Sequence, residues 1–168
     1  MRVTAKNWHT VKKRVLEIEQ ESFAPSIQES EDDLAETVSS PSSISLAAFA
    51  EKTLVGYAMG DELECFGDIP GTRSDPHYGR RDTIYISSVA VDSNWRGLGI
   101  GVEFEREIIR LAHLAGYSRV TAHIRTSANL ANQLTHKAMD TFPNWYGTGI
   151  AFDYVVLDVA RTPLRARG

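Results

Sequence analysis

The chain has 168 residues, of which 42% are hydrophobic and 24% are charged, with a formal net charge of −4 at pH 7 and one cysteine. These are ordinary globular values, and the acidic balance argues against a nucleic-acid-binding protein, which needs a clustered basic surface. The single cysteine excludes an internal disulfide and a cysteine-built metal site, and no apolar run approaches the ~18 residues of a membrane-spanning helix. The polar N-terminal stretch lacks the apolar segment of a signal peptide. We therefore expect a cytoplasmic protein without nucleic-acid or membrane partners.

The chain shows no internal repeat and no low-complexity linker. We therefore expect one domain over residues 1–160. Residues 161–168 carry three arginines and Pro163, and they are predicted to form a flexible basic tail. The oligomeric state is left open, with a homodimer as one option.

The first elements are predicted to be two helices. Apolar residues recur at helical spacing over about 9–22 and predict an amphipathic helix that ends before Pro25. Ser26 followed by Glu29 fits a capping box and predicts a second, short acidic helix that ends near Thr37. A short strand at residues 2–4 is left open.

Two strands are predicted next, over 44–50 and 53–66, joined by a short polar turn. In the second strand Val55, Tyr57 and Met59 alternate, which is typical of a half-buried strand. Residues 67–81 have no hydrophobic period and predict a long loop, a feature that is often functional or mobile.

The second half begins with a strand over 83–91, rich in β-branched residues. It is followed by a helix over about 99–115, a strand over 119–125, a helix over about 129–141 and a last strand over 152–159. This order predicts an α/β fold with a mixed, mostly antiparallel sheet flanked by helices on both faces.

The strongest local signal is a glycine-rich turn between the strand over 83–91 and the helix that follows. A helix N-terminus presents unpaired amides and a partial positive charge, so it attracts phosphate oxygens. Gly97, Gly99 and Gly101 place no Cβ between the backbone and a ligand, and they permit a positive φ. Arg96 can add a charge-assisted contact.

Three phosphate-binding motifs compete for this turn. A dinucleotide fingerprint starting at Gly97 needs a glycine where Val102 stands, and a P-loop needs a Gly-Lys-Ser/Thr sequence that the chain lacks. The third motif, Arg/Gln-x-x-Gly-x-Gly/Ala, is matched completely by Arg96, Gly99 and Gly101. A glycine turn that merely joins a strand to a helix is the structural alternative.

The run from Val89 to Gly101, followed by a helix that ends at Leu114-Ala115-Gly116, resembles the GCN5-related N-acetyltransferase (GNAT) superfamily. The predicted element order over about 9–160 resembles that family too. The resemblance implies the acyl-CoA N-acyltransferase fold, acetyl-CoA as the bound cofactor, and an amine acceptor, either a small molecule or a protein. The acceptor itself is not identified by the sequence.

The resemblance also implies a set of acetyl-CoA-binding residues. The backbone of the strand at Val89, Ala90 and Val91 would pair with the pantetheine arm, and one of its amides would polarise the thioester carbonyl. Asn129 resembles an asparagine that contacts the cofactor in many members. The pyrophosphate would be held by Arg96 and by the amides of Gly97, Leu98, Gly99, Ile100, Gly101 and Val102.

The general base is not marked by the motif. Many family members carry a carboxylate on the cofactor strand, and this chain has Ser87 and Ser88 there. His123 is the candidate base, because it lies in mid-strand and imidazole titrates in the right range. Glu62 and Glu64, on the preceding predicted strand, are the alternatives.

The general acid is the next open assignment. The family's usual acid is a tyrosine seven residues after the helix asparagine, and counting from Asn129 that place holds His136. On a helix Asn129, Asn132 and His136 would share one face. A different alignment would give the place to Thr135, and Tyr146 is a second candidate.

The acceptor-binding regions are acidic. Carboxylates there would suit a cationic amine, although runs of charge are often only solvated. Because the strand carboxylate and the tyrosine are missing, a non-catalytic acyl-CoA-binding or sensing domain is the alternative function. The acidic residues of these regions are Glu29, Glu31, Asp32, Asp33, Glu36, Asp68, Asp75 and Asp82.

Overall fold

The computed structural model describes residues 1–131 and 136–157, without the side chains of 129–131 and 136. The strands are β1 (Arg2–Val3), β2 (Ile44–Ala50), β3 (Thr53–Glu62), β4 (Thr83–Val91), β5 (Arg119–Arg125), β6 (His136–Phe142) and β7 (Phe152–Leu157). The helices are α1 (Trp8–Ser22), α2 (Glu31–Ser39), α3 (Ile100–Leu114) and α4 (Thr126–Ala131). The sheet order is β1-β2-β3-β4-β5-β7-β6, and the pairs β1–β2, β2–β3, β5–β7 and β6–β7 are antiparallel. The predicted fold class, a mostly antiparallel sheet with helices, is confirmed.

The described residues form two compact units. The first comprises Met1–Asp61 and Ile86–Ile108, and the second comprises Glu62–Tyr85 and the described residues from Ile109 onward. A single domain over 1–160 stays a prediction. The predicted tail, 161–168, lies outside the described residues, as do the last two residues of the strand expected over 152–159.

The core of the first unit lies where α1 and α2 pack on strands of the sheet. It includes Tyr57 and Met59 of β3, both fully buried. Gly56 faces the other way, where an added Cβ would lie 3.0 Å from the Ala90 carbonyl oxygen and 3.1 Å from the ring of Phe104 on α3. Helices therefore cover both faces of the sheet in this unit, and a side chain at position 56 would crowd the Ala90 carbonyl and the Phe104 ring. The main helical contributors to the core are Val11, Val15, Ile18, Leu34 and Val38.

The second helix begins later than predicted, so the expected cap at Ser26 is wrong. Ser30 is the N-cap: its hydroxyl accepts from the Asp33 amide at 3.1 Å, and the Asp33 carboxylate accepts from the Ser30 amide at 3.1 Å. The competing capping box fails because the backbone amide of Glu29 donates instead to the carboxylate of Glu19 on α1. Residues Pro25–Ile27 form a single 3₁₀ turn.

Strand β3 differs from its prediction in two respects. It ends at Glu62, and Leu63–Phe66 form a 3₁₀ turn. It is also buried on both faces rather than half-buried. Its pairing with β2 skips Val55, so this residue is the extra one of a β-bulge and falls out of the alternation predicted for it.

The predicted loop over 67–81 is confirmed as irregular, but it is anchored within the second unit. Asp75, 5% exposed, pairs with Arg119 of β5 at 2.8 Å and accepts from the Tyr154 hydroxyl of β7 at 2.7 Å. Burial alone would raise the pKa of Asp75, but the hydrogen bonds from Arg119 and Tyr154 lower it overall. Glu64 accepts from two loop amides, at Gly79 and Arg81.

The helix predicted over 129–141 is confirmed at 129–131 and wrong over 136–141, while 132–135 lie outside the described residues. The structure has a short α4 that ends at Ala131, and β6 begins at His136. Strand β6 pairs with β7 from His136, opposite Leu157, to Phe142, opposite Phe152. Tertiary pairing with a neighbouring strand therefore overrides the helical spacing of the apolar residues. Across the described residues, no helix has the length and apolarity to cross a bilayer.

Candidate functional site

The glycine-rich turn connects β4 to α3 in the first unit. A 3₁₀ turn over Ser93–Trp95 leads into it, and α3 begins at Ile100. Gly97 and Gly99 have φ values of +78° and +82°, a conformation that favours glycine. A Cβ added at either position, or at Gly101, would meet no atom within 4 Å. The space over these glycines is therefore open.

The amides at this turn are available to a ligand. The amide of Glu103 donates to the Gly99 carbonyl at 3.0 Å, which is the first turn of α3. The amides just before Glu103 precede the helical hydrogen-bond pattern, and residues 93–99 are exposed. An open cradle of free amides at a helix N-terminus fits a pyrophosphate.

The entrance to the turn is fixed by Asp92, which is buried. Its carboxylate accepts from the Asn94 amide at 2.8 Å and forms an ion pair with Arg14 of α1. Its own amide donates to the carbonyl of Val55, the bulge residue of β3, at 2.9 Å. Strand β3 and helix α1 therefore hold the turn in place from two sides.

Arg96 braces the same segment. Its Nε donates to the Val91 carbonyl at 2.9 Å, and its Nη2 donates to the Ser22 hydroxyl at the end of α1 at 3.1 Å. The guanidinium is exposed, so its remaining N–H groups face solvent. A phosphate contact by Arg96 would add to, or replace, these two neutral hydrogen bonds.

Strand β4 presents alternate residues on different faces. Ser88 and Ala90 are buried, whereas Ser87, Val89 and Val91 are half-buried. Ala90 packs in the core with α1 and α2. The face that carries Val89 and Val91 is the more accessible one.

A buried carboxylate lies behind β4, and the sequence interpretation missed it. Glu19 of α1 is 1% exposed. One oxygen, Oε1, accepts from the Glu29 amide at 2.7 Å. The other, Oε2, accepts from the Tyr57 hydroxyl and lies 3.3 Å from the Ser88 hydroxyl, which is 3.0 Å from the Tyr57 hydroxyl. The sequence did indicate that this glutamate is buried, because Glu19 follows Val15 by four positions and therefore lies on the apolar face of α1.

Two carboxyl groups in this region have raised pKa values. Burial raises the pKa of Glu19, opposed by its hydrogen bonds from the Glu29 amide and Ser88. Burial, with the nearby charges of Glu19 and Asp33, raises the pKa of Glu29 to about 7.

His123 lies in an aromatic cluster of the second unit. Its ring stacks on Trp145 with centroids 4.2 Å apart, and its Nδ1 is 2.8 Å from the Tyr85 hydroxyl. Its Nε2 is buried without a hydrogen-bond partner among the described residues. Burial lowers the pKa of His123 to about 4, and the Pro70 carbonyl and Asp140 oppose this shift only in part. The imidazole is therefore neutral at pH 7.

This pKa predicts an acid-sensitive stability. Because the folded pKa lies below the unfolded value of about 6.5, the unfolded chain binds the proton first. The stabilisation is therefore complete above about pH 6.5 and is lost as the pH falls toward 4. We expect His123→Phe, which keeps a ring in the cluster, to flatten the loss of urea stability over this pH range. An equally steep loss in the variant would assign it to other groups.

The other predicted acids and bases also belong to the second unit, and the Tyr146 ring packs edge-on against Trp145, on which His123 stacks. Glu62 accepts from the Tyr117 hydroxyl at 3.0 Å, and Glu64 lies in a 3₁₀ turn rather than on the predicted strand. Tyr146 is 49% exposed, and burial of part of its ring, together with Asp68, raises its pKa, which makes it a weaker acid.

His136 was predicted to be the acid because it would follow Asn129 by seven residues on one helix, and this helix does not reach His136. His136 is the first residue of β6, so the helix face predicted to join it to Asn129 does not exist. Asn129 is in α4 as expected, but its side chain is outside what is described, while Asn132 and Thr135 lie outside the described residues.

Several solved structures share this fold. A ribosomal-protein-S18-alanine N-acetyltransferase from Escherichia coli aligns with a TM-score of 0.63 at 14% identity, covering 91% of this chain and 90% of its own. Arabidopsis thaliana NAA60 in complex with acetyl-CoA aligns with a TM-score of 0.67 at 15% identity, covering 93% and 95%. An aminoglycoside 6'-acetyltransferase type Ii aligns with a TM-score of 0.67 at 16% identity, covering 97% and 98%.

Sequence comparison identifies the family of the chain. No curated protein sequence matches the chain significantly. The family model described as "Acetyltransferase (GNAT) family" matches residues 12–140, which include most of α1, the glycine-rich turn and α3. The chain belongs to the GNAT family of acetyl-CoA-dependent N-acetyltransferases.

Proposed function

We propose that this N-acetyltransferase holds acetyl-CoA at the turn between β4 and α3 and transfers the acetyl group to a primary amine. The observation that carries the proposal is the open glycine turn at the start of α3. Its backbone is already in the left-handed conformation at Gly97 and Gly99, so the cradle does not have to form on binding. The pyrophosphate would be bound by amides over 97–102 and by Arg96.

Strand β4 supplies the second half of the cofactor site. Its half-buried face at Val89 and Val91 leaves room for an extended pantetheine arm beside the backbone, as in strand addition. An amide of this strand would donate to the thioester oxygen as negative charge develops on it. Asn129 of α4 remains a proposed cofactor contact.

The acceptor class follows from the family and from the charges. Two of the structural neighbours are a ribosomal-protein-S18-alanine N-acetyltransferase and an aminoglycoside 6'-acetyltransferase. Both acceptors are amines, but one is a protein and the other a small molecule, so these neighbours do not indicate which class this chain acetylates. Several of the acidic residues are already paired, including Asp75 with Arg119 and Glu31 with Lys12.

The proposal is tested by turnover and binding measured together. Acetyl-CoA would be titrated by calorimetry, and free thiol would be followed after adding an alanine-terminated peptide, an amino-terminally blocked lysine peptide or an aminoglycoside. Amine-dependent thiol release is the expected result. Tight acetyl-CoA binding without release to any acceptor would instead favour a non-catalytic acyl-CoA-binding or sensing domain. The cytoplasmic location, the homodimer and the lack of nucleic-acid partners stay predictions.

A further inference from the structure

Helix α1 contacts the entrance of the glycine-rich turn, residues 92–96, at two points. Arg14, in the middle of the helix, forms an ion pair with Asp92 at the start of this segment. Ser22, the last residue of the helix, accepts a hydrogen bond from Nη2 of Arg96 at the end of the segment, at 3.1 Å. One helix therefore holds both ends of the segment that leads into the glycines.

The Arg14 contact holds the backbone of this segment. The Asp92 side chain is 9% exposed, so salt screens the ion pair only weakly. The same carboxylate accepts from the Asn94 amide at 2.8 Å, which shapes the 3₁₀ turn before the glycines. Arg14 also donates to the Leu54 carbonyl of β3 at 3.4 Å and to Glu17 at 2.9 Å, so its own position is fixed by three groups. Without Arg14, Asp92 would be a buried carboxylate that lacks its counter-ion.

The Ser22 contact holds the side chain of Arg96. A guanidinium has five N–H donors, and Arg96 uses two of them within the protein, on the Val91 carbonyl at 2.9 Å and on Ser22. Both contacts lie on the edge formed by Nε and Nη2, which leaves the edge formed by Nη1 and Nη2 for a phosphate. Arg96 is exposed, so this second edge is open to a ligand. Because its plane is already oriented, the guanidinium loses less freedom when a phosphate binds.

We infer that Arg14 and Ser22 are positioning residues for acetyl-CoA. Arg14 fixes the backbone at Asp92, and Ser22 fixes the guanidinium of Arg96, in the geometry that receives the pyrophosphate. The inference rests on the proposed function and adds to it two residues that act through the turn rather than on the cofactor itself. Neither residue belongs to the phosphate-binding motif.

The first test is Ser22→Ala, which removes the hydroxyl that orients Arg96. The affinity for acetyl-CoA, measured by calorimetry, should fall about 3- to 10-fold, the effect of one lost hydrogen bond. The kcat at saturating acetyl-CoA should not change, and Ser22→Thr, which keeps the hydroxyl, should restore the affinity. In an Arg96→Met background, Ser22→Ala should have no further effect. The matched control is Thr10→Ala, which removes a hydroxyl from the other end of α1, where it donates to the Asn7 carbonyl at 2.7 Å.

The second test is Arg14→Met, which removes the partner of Asp92. The affinity for acetyl-CoA should fall about 10-fold or more, and Arg14→Lys should recover part of it, because the charge is kept. Lys13→Met removes the same charge from the exposed neighbour on α1 and should leave the affinity unchanged. S-acetylpantetheine, which carries no phosphate, supplies the comparison substrate. Its kcat/KM should be the same in Ser22→Ala, Arg14→Met and the unsubstituted enzyme.

Three results would overturn the inference. They are an equal loss for acetyl-CoA and S-acetylpantetheine, a Ser22→Ala loss that persists in the Arg96→Met background, and an unchanged acetyl-CoA affinity in folded Ser22→Ala and Arg14→Met proteins. The first two would mean that α1 supports the fold as a whole rather than the phosphate site. Amine-dependent thiol release by the unsubstituted enzyme leaves the proposed function standing in all three cases. An unsubstituted enzyme that does not bind acetyl-CoA overturns both.

Discussion

Replacing Gly101 with glutamate is expected to weaken acetyl-CoA binding by about 1,000-fold, or about 4 kcal/mol. A side chain at this position points into open space, with no atom within 4 Å of its Cβ, and the backbone does not have a positive φ there. The carboxylate would fill the phosphate cradle and repel the pyrophosphate at the start of α3. The fold should survive, because nothing in the protein has to move. Calorimetry with acetyl-CoA measures the affinity, and thermal unfolding checks the fold.

Two further variants test whether a carboxylate in the glycine turn, and not any added side chain or any added charge on α3, weakens binding. Gly101→Ala adds only a methyl group and should stabilise α3 by up to about 1 kcal/mol, while weakening binding far less than glutamate does. Leu114→Glu adds the same charge at the other, exposed end of α3 and should leave the affinity unchanged. Unchanged affinity in a folded Gly101→Glu protein would falsify the assignment of the turn.

The glycine-rich turn could be predicted from the sequence because its determinants are local. The left-handed backbone at Gly97 and Gly99 depends on the residues themselves and on their immediate neighbours. The strand before it and the helix after it have consistent periodicities. The boundary predicted for α3, about 99–115, agrees with the observed Ile100–Leu114 to within one residue at each end.

Strand β6 could not be predicted, because its determinants are not local in the sequence. Its identity depends on pairing with β7, a partner that follows it in the chain and that the local pattern does not specify. The start of α2 shows the same effect on a smaller scale. Ser26 and Ser30 both begin acceptable capping boxes, and the choice is made by Glu19, which takes the Glu29 amide.

The buried carboxylate of Glu19 was missed because its role depends on tertiary burial. The sequence places a glutamate at position 19 and another at position 29, ten residues apart, with no motif between them. Only the folded first unit brings the Glu19 carboxylate to the backbone amide of Glu29 and removes it from water. By contrast His123, the residue whose ordinary pKa suits a base, is shifted away from neutrality by the same effect.

Asp75→Asn is expected to destabilise the second unit by about 3–5 kcal/mol, because it leaves the buried guanidinium of Arg119 without its counter-ion. The Arg119 side chain is 14% exposed and the Asp75 side chain is fully buried. The Tyr154 hydroxyl would lose a charged acceptor as well. Urea unfolding at pH 7 measures the loss, and Asp68→Asn on the same loop, where the carboxylate is fully exposed, should cause no measurable change.

The pH dependence of this loss identifies its cause. Because the folded pKa of Asp75 is lowered, its stabilisation is complete above the unfolded value of about 3.9 and disappears as the pH falls through the folded pKa. The difference between the original and Asp75→Asn proteins should therefore be constant from pH 7 to about pH 5 and shrink at lower pH. The stabilisation that depends on His123 is lost between about pH 6.5 and 4, which is a higher pH range, so the two contributions can be separated.

The double variant Asp75→Asn with Arg119→Met should recover part of the stability, since no unpaired charge remains buried. If it is as unstable as the two single losses combined, then packing, and not the ion pair, anchors the loop.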